Sequence, residues 1–265
     1  MRSDGRAHNE LRPIKITRAF TTAPAGSVLW QQGGTIVLVT ASITPDVPPW
    51  FRDDRPGGWV TADYVMLPGS TPRRKDWPKI GHTDSRGTEI QRLIGRTVRG
   101  CIDLSKIGPN TIALDCQVLQ ADGGTRTASI CAAYVALVDA VSKLPKQLIP
   151  SKRTMPAEPG SPKWDPKFYD PAHAIMDPLA AVSVGIVDGE VRLDLDYIDD
   201  SRALVDMNVA YTKSGKFIEI QASAENGGGF DRKLTDQMLD LAVVGCQQLM
   251  RIQQSALESA SASSR

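Results

Sequence analysis

The clearest pattern in the chain is an alternation of apolar and polar residues from Thr111 to Gln120, which predicts a β-strand. After a short polar interruption, apolar residues recur every three or four positions and predict a helix, on Ile130, Tyr134, Leu137, Val138 and Val141. Gly123 and Gly124 lie between the two segments and allow positive φ angles without side-chain bulk. The backbone N–H groups of Gly124, Thr125 and Arg126 can therefore converge on an anion at the helix N-terminus, and Arg126 adds a guanidinium suited to phosphate.

The same two glycines are also compatible with a plain turn. The arginine in the first helical turn favours a site, because a cation there opposes the helix dipole unless an anion lies with it. No Gly-Lys-Ser/Thr follows the glycines and no GxGxxG is present, so the turn predicts a small phosphate as ligand rather than a nucleotide triphosphate.

A second periodic segment, Gly87 to Leu104, predicts a helix with an apolar face made of Ile90, Leu93, Ile94, Val98 and Cys101. We expect Arg86 to precede this helix at its N-terminal end, where the helix dipole also favours an anion. Three further arginines lie along another face, and we expect a solvated face or a subunit contact for most of them: Arg92, Arg96 and Arg99.

Five aspartates crowd residues 194–206, in a region that otherwise alternates as strands: Asp194, Asp196, Asp199, Asp200 and Asp206. Massed carboxylates repel one another unless cations share them, and Mg²⁺ prefers a few carboxylates together with water and phosphate oxygens. Asp206 is expected to open the strand Met207 to Tyr211, with Asp200 in the turn before it. Asp199 and Asp200 could equally be turn and cap residues when taken alone.

Composition is typical of a soluble globular protein of one large domain or two fused halves, with 265 residues, 41% hydrophobic and 23% charged. The net charge of +1 argues against indiscriminate nucleic-acid binding, but the first hundred residues are arginine-rich while residues 188–206 are acidic. The four cysteines form no CxxC pair and no secretory signal precedes them, so we expect reduced thiols in a cytoplasmic protein. No apolar run has the length of a membrane span, so no membrane partner is expected.

Beyond these patterns, the chain closely resembles the RNase PH family of phosphorolytic exoribonucleases, from about residue 2 to about residue 254. The resemblance is carried by segments in the family's order: DGRxxxxLRPI (4–14), AGSVL (25–29), GWVTADYVMLP (58–68), EIQRLIGR (89–96), QADGGTRTASI (120–130), AAVSVGIVDG (180–189) and DMNV (206–209).

The resemblance implies an α/β fold of the ribosomal protein S5 domain 2-like type, with duplicated βαβα halves assembled into a homohexameric ring, a trimer of dimers. It divides the chain into an N-terminal half (1–145), a proline-rich connection (146–178), a C-terminal half (179–254) and a flexible tail (255–265). The connection is longer than is usual in the family.

The resemblance also assigns roles to residues. The family's phosphate-binding residues fall on Arg86, Gly124, Thr125 and Arg126, and its catalytic, metal-binding aspartates fall on Asp200 and Asp206. The expected reaction is Mg²⁺-dependent phosphorolysis of tRNA precursor 3′ ends, with inorganic phosphate as co-substrate. A compact basic cluster, Arg73, Arg74 and Lys75, matches the family's arginine-rich loop that contacts tRNA, although a solvated loop with ordinary charges is the alternative.

Besides the long connection, two departures from the family's pattern stand out. The segment GHTDSRGTE replaces the usual GKxxGRTxE, so that His82 takes the place of a lysine and Ser85 and Gly87 flank Arg86. Near the C-terminus, AENGGGFDRK suggests a flexible turn at Gly227 to Gly229. All the residues with assigned roles are retained, which speaks against one rival function, a silent RNA-binding ring subunit. The other rival is a hydrolytic nuclease that uses the same metal, and the identity of the released nucleotide decides against or for it.

Overall fold

Two β-sheets with helices packed between and beside them form the computed structural model, which describes residues 2, 4–51, 57–77, 84–147, 166–225 and 229–261. Nine strands lie in these ranges: β1 (Ile14–Arg18), β2 (Gly26–Gln32), β3 (Thr35–Pro45), β4 (Trp59–Met66), β5 (Asn110–Gln120), β6 (Leu179–Val187), β7 (Glu190–Leu193), β8 (Val205–Thr212) and β9 (Phe217–Ala224). The same ranges contain four α-helices: α1 (Ser85–Arg99), α2 (Thr125–Ser142), α3 (Tyr197–Arg202) and α4 (Arg232–Ser261).

The first sheet has the strand order β1-β2-β3-β5-β4 and the second has the order β7-β6-β8-β9. All neighbouring strands run antiparallel except β4 and β5, which are parallel and are connected through α1. A parallel pair requires such a crossover. The N-terminal half thus contains the run β4-α1-β5-α2, whereas the C-terminal half consists of two hairpins separated by the short α3 and followed by α4.

Helix α2 lies between the sheets and contacts β2 and β3 on one side and β6 on the other. Nearly all of its residues are buried, as expected for a helix that is apolar on all sides. Helix α4 packs beside it against β6, β7 and β8. In the part of the chain that the structure describes, no helix combines the length and apolar character needed to cross a membrane.

The predicted strand at Thr111 to Gln120 is confirmed as β5, and the apolar face predicted for α1 is buried. Helix α1 nevertheless ends at Arg99, earlier than predicted, because the chain turns at Gly100. The N–H groups of Gly100 and Cys101 bond to the carbonyl oxygens of Thr97 and Val98, at 3.0 and 3.2 Å. Residues 104–107 form a separate 3-10 turn that the side chain of Asp103 caps.

The C-terminal helix continues past residue 254, where the sequence analysis began a flexible tail. Arg18 Nη1 donates to the carbonyl oxygens of Ala256 and Leu257, at 2.9 Å each, and Leu257 packs against the core. Residues 255–261 are therefore helical where the sequence analysis expected a flexible tail, and these contacts hold the last turns of α4 on the first sheet. Residues 262–265 lie outside the described ranges.

The connection between the halves is described only from residue 166 onward. There the chain passes the end of α1: Ile175 bridges Ile102, and the N–H of Asp103 bonds to the carbonyl oxygen of Ala174 at 2.8 Å. Residues 148–165, the middle of the predicted connection, lie outside the described ranges.

Arginines of the N-terminal segment hold the buried carboxylates of the C-terminal half. Arg12 Nη2 lies 2.7 Å from Asp194 Oδ1, with the two side chains 3% and 1% exposed. Gln32 Nε2 also donates to Asp194 Oδ1, at 2.8 Å. Burial acts to raise the pKa of Asp194, but the charge of Arg12 and its hydrogen bonds outweigh burial, and the pKa is lowered. Asp199 is likewise enclosed, between Arg2 at 2.9 Å and Arg192 at 2.6 Å.

The crowded aspartates therefore do not all belong to one metal site: some pair with arginines, and one caps a helix. Arginine cations neutralise Asp194 and Asp199, and Asp196 caps α3 by accepting from the N–H of Asp199 at 2.8 Å. Asp200 and Asp206 remain as candidates for a site.

We predict that Asp194→Asn lowers the free energy of unfolding by about 3–5 kcal/mol, because it leaves the buried Arg12 without its counter-charge. Urea denaturation at pH 7 measures the loss. As a matched control, Asp236→Asn breaks the exposed Arg232–Asp236 pair of α4, 3.9 Å apart, and should cost less than about 0.5 kcal/mol. Equal stability of Asp194→Asn and the parent would contradict the role assigned to the pair.

Candidate functional site

The turn between β5 and α2 requires glycine at two successive positions. Gly123 and Gly124 have φ angles of +72° and +63°. A Cβ at Gly123 would lie 2.6 Å from the carbonyl oxygen of Leu195, so no side chain fits there. Gly124 occupies the N-cap position of α2 and has no side chain that could cap the first N–H groups of the helix. These groups thus remain available to an external acceptor.

Two buried side chains fix the orientation of the peptide groups in this turn. Thr35 Oγ1 donates to the carbonyl oxygen of Gly123 at 2.7 Å, and Arg12 Nη1 donates to that of Asp122. Because the N–H of a trans peptide points opposite to its C=O, the N–H groups of Gly123 and Gly124 point away from Thr35 and Arg12. The orientation of the turn is therefore compatible with the anion cradle that the glycine pattern predicts, and the cradle stays a prediction.

The side chains that follow in α2 are tied to neighbouring elements. Thr125 Oγ1 lies 2.9 Å from the hydroxyl of Tyr64 on β4. Arg126 Nη1 donates to Gln221 Oε1 on β9 at 2.9 Å, and Arg126 Nη2 lies 3.3 Å from Glu89 Oε2 on α1. The guanidinium of Arg126 is thus held from two sides.

Arg86 is the second residue of α1 instead of preceding the helix, because the helix begins at Ser85. Asp84 serves as its N-cap and accepts from the N–H of Gly87 at 3.0 Å. The Arg86 side chain is exposed. Its charge acts on Asp200: burial raises the pKa of that carboxyl, and the charges of Arg86 and Arg126 oppose the rise. Both arginines therefore lie within electrostatic reach of Asp200. His82 lies outside the described residues.

Asp200 lies in α3, where the sequence predicted a turn, and Asp206 is the second residue of β8, which begins at Val205. Burial, and next the charge of Asp200, raise the pKa of Asp206 to about 6, while the charge of Arg126 opposes this rise. Asn208 Nδ2 donates to Asp206 Oδ2 at 3.2 Å. The structure thus brings together the two predicted carboxylates and the two predicted phosphate-binding arginines.

This carboxylate pair fits a hard divalent cation, because a cation would offset the burial that raises both pKa values and the charge of Asp200 that further raises the pKa of Asp206. Within the described ranges, no three His, Cys, Asp or Glu side chains cluster as a metal site. Two carboxylates with water and phosphate oxygens are the ligands that Mg²⁺ commonly takes.

The basic cluster lies on an exposed loop beyond β4. Arg73 and Lys75 are exposed, and Arg74 Nη1 lies 3.5 Å from Asp76 Oδ1 of the same loop. Lys75 Nζ is 3.3 Å from Met66 Sδ. The exposure is compatible with an RNA contact and equally with a solvated loop. Gly227 and Gly228, in the second predicted turn, lie outside the described residues.

Sequence reasoning missed four residues that shape the site. Arg12 and Thr35 orient the glycine turn, and Glu89 and Gln221 hold Arg126. Two of the three α1 arginines, for which a solvated face or a subunit contact was expected, make contacts within the chain. Arg96 pairs with Glu219 at 2.6 Å, and the Arg99 guanidinium lies 4.4 Å from the centre of the Trp59 ring. All these contacts are long-range in sequence, so no local pattern indicates them.

Two family models match the chain, domain 1 of the 3′ exoribonuclease family over residues 10–143 and domain 2 over residues 177–245. The ribonuclease PH of Nocardia farcinica is 50% identical over 263 residues, which cover 97% of this chain and 92% of that protein. The ribonuclease PH of Rhodococcus erythropolis is 52% identical over 257 residues, with coverage of 97% and 90%.

Two solved structures share the fold. Rice (Oryza sativa) Rrp46 has a TM-score of 0.73 and 19% identity, covering 97% of this chain and 100% of that chain. The exosome of Archaeoglobus fulgidus, solved with RNA bound to its active site, contains a chain with a TM-score of 0.72 and 23% identity, covering 94% of this chain and 91% of that one. At these identities the likeness concerns the fold alone.

We predict that Asp206→Asn stabilises the metal-free protein at alkaline pH. A pKa raised from 3.8 to about 6 means that the folded state binds an extra proton between these values, so the parent loses stability as the pH rises through this window. Asparagine keeps an acceptor for Asn208 but does not ionise. The variant should therefore exceed the parent by up to roughly 3 kcal/mol at pH 8 and by nothing near pH 4.

The measurement is urea unfolding from pH 4 to pH 8 in the presence of a chelator. Asp236→Asn, which removes an exposed carboxyl of α4, should show no such gain. Identical stability of Asp206→Asn and the parent at pH 8 would refute a destabilising carboxylate at this position.

Proposed function

The chain belongs to the 3′ exoribonuclease family of RNase PH, and we propose on that basis that it trims tRNA precursors from the 3′ end by phosphorolysis and releases nucleoside 5′-diphosphates. The reverse reaction adds nucleotides to RNA 3′ ends from the same diphosphates. The observation that carries the proposal is the juxtaposition of an oriented glycine turn and two arginines with a pair of carboxylates of raised pKa. The first group suits an anionic nucleophile and the second suits a cation on the scissile phosphate.

In this proposal, inorganic phosphate is held by the side chains of Arg86 and Arg126 and by the N–H groups of Gly124 and Thr125. An oxygen of the bound phosphate attacks the last phosphodiester in line, a new P–O bond forms, and the bond to the 3′ oxygen of the preceding nucleotide breaks. Catalysis comes from positioning and charge, because phosphoryl transfer needs no covalent enzyme intermediate.

Asp200 and Asp206 would hold a Mg²⁺ ion, which supplies positive charge to the scissile phosphate and to the departing 3′ oxygen. One of the two carboxyls supplies a proton to that oxygen through water.

The exposed cluster of Arg73, Arg74 and Lys75 is proposed to hold the tRNA backbone away from the reacting bond. We further propose a homohexameric ring, a trimer of dimers, located in the cytoplasm. All four cysteines are free and buried, which is compatible with a reducing compartment.

Two rivals make different predictions. A silent ring subunit would bind RNA without turnover, and the retention of both arginines and both aspartates speaks against it. A hydrolytic nuclease would release nucleoside monophosphates, whereas phosphorolysis releases diphosphates. Incubation of a 3′-extended tRNA with and without phosphate, followed by identification of the released nucleotide, separates all three possibilities.

Arg126→Ala should fold normally and lose about 2–4 kcal/mol of transition-state stabilisation, because it removes a charged donor from a partly desolvated site. The rate of RNA degradation at limiting phosphate measures the loss. Lys143→Ala, which removes an exposed cation just beyond the other end of α2, is the matched control and should retain the parental rate. A parental rate in Arg126→Ala would remove Arg126 from the phosphate site.

Replacement of Arg73, Arg74 and Lys75 together by alanine should weaken tRNA binding and flatten its salt dependence, since fewer counterions are released on binding. Turnover of a very short RNA, which does not reach this loop, should change little. The comparison is kcat/KM on tRNA against a short oligonucleotide, with oligomeric state checked by light scattering. An equal loss on both substrates in an intact assembly would contradict a tRNA contact.

A further inference from the structure

Helix α1 and strand β9, which belong to different halves of the chain, are joined by two side-chain contacts. Arg96 Nε and Nη2 donate to the carboxylate of Glu219 at 2.6 and 2.7 Å. Two turns earlier on α1, Glu89 Oε1 accepts from Gln221 Nε2 at 2.9 Å. Glu219 and Gln221 are two positions apart on β9 and therefore lie on the same face of the strand.

Only the residues of the second contact also touch Arg126, which is one of the proposed phosphate-binding residues. Gln221 Oε1 accepts from Arg126 Nη1 at 2.9 Å, and Glu89 Oε2 lies 3.3 Å from Arg126 Nη2. The three side chains thus form a closed triangle. The amide of Gln221 fits it in one orientation only, because its oxygen must face the guanidinium and its nitrogen must face the carboxylate.

The triangle offsets the cost of placing Arg126 at the start of α2. An arginine in the first turn of a helix opposes the helix dipole, and its long side chain loses rotamer entropy when it is fixed. Glu89 and Gln221 stabilise the charge and restrict the side chain before any anion arrives. A guanidinium has five N–H donors, so donors remain for an anion after these contacts are made.

Gln221 also adjoins β8, the strand that carries Asp206. It pairs across the sheet with Asn208, whose Nδ2 donates to Asp206 Oδ2 at 3.2 Å. A displacement of β9 would therefore disturb Arg126 and the surroundings of Asp206 together.

We propose that Gln221, together with Glu89, is a positioning residue that fixes the guanidinium of Arg126 for the attacking phosphate. This inference rests on the proposed function, because it takes the anion to be the phosphate co-substrate. It makes phosphate affinity depend on β9, a strand of the half that does not contain the cradle.

The test is Gln221→Ala, with inorganic phosphate as the probe. We expect the Kd for phosphate, measured by calorimetry, and the KM for phosphate to rise about fivefold, as for the loss of one hydrogen bond. The KM for RNA should not change. The matched control is Glu219→Ala, which cuts the other contact between the same helix and the same strand and should leave both phosphate constants at parental values.

A double-mutant cycle with Arg126→Ala identifies the route of the effect. If Gln221 acts through Arg126, then Gln221→Ala has no further effect on phosphate binding once Arg126 is replaced, whereas a general structural role gives additive losses. Glu89→Ala should raise the phosphate constants in the same direction from the α1 side. Gln221→Val, with a side chain that suits a strand, serves as a second variant should the alanine variant fold poorly.

Parental phosphate constants in Gln221→Ala, an equal loss in Glu219→Ala, or additivity with Arg126→Ala would each overturn the inference. Failure of the proposed function has a different signature. In that case the parent binds phosphate in the calorimeter but degrades RNA at a rate independent of phosphate, or releases monophosphates. A parent that binds no phosphate would overturn both.

Discussion

Arg12 and Asp194 form an ion pair that is almost completely withdrawn from solvent, and the other parts of the site are built on it. Asp194 belongs to the C-terminal half, while Arg12 belongs to the N-terminal segment and also donates to the carbonyl oxygen of Asp122. One guanidinium therefore joins the two halves and turns the peptide groups of the glycine turn. A buried pair adds little net stability compared with apolar packing, but loss of one partner is costly. Its contribution here is geometric, because it sets where the N–H groups of the turn point.

Some carboxylates of the acidic segment stabilise the fold, whereas others are candidates for a metal site. Asp199 is enclosed by arginines and Asp196 caps a helix, so their charges are satisfied within the fold. Asp206 has one weak donor, Asn208, and a like charge nearby, and its pKa is raised to about 6. A protein gains no stability from an ionised carboxylate in that environment. Such groups are typical of sites where a ligand or metal supplies the missing charge.

Local patterns in the sequence predicted much of this structure, but they did not predict the contacts between distant segments. The strand at β5, the apolar face of α1 and the glycine turn follow from periodicity and from backbone freedom, which are properties of neighbouring residues. Membership of the RNase PH family and its mixed α/β fold, recognised from the motifs, are confirmed. The length of α4 was misjudged because polar, low-complexity residues hid the packing of Leu257. Glu89 and Gln221 were missed because they are 132 positions apart in the chain and meet only when the halves dock.

The site is thus a property of the joint between the halves. The N-terminal half supplies the cations and the oriented N–H groups, and the C-terminal half supplies the carboxylates. Opposite charges on two docked surfaces attract each other, so the arrangement that suits the reaction also favours docking. A direct ion pair between Arg126 and Asp206 would work against the proposed reaction, because it would occupy the side chains that are proposed to hold phosphate and metal. The triangle of Arg126, Glu89 and Gln221 instead gives the guanidinium a local carboxylate and amide as partners, and Asp206 keeps Asn208 as its donor. Arg126 and Asp206 consequently lie within electrostatic reach of each other while each is bonded to partners of its own.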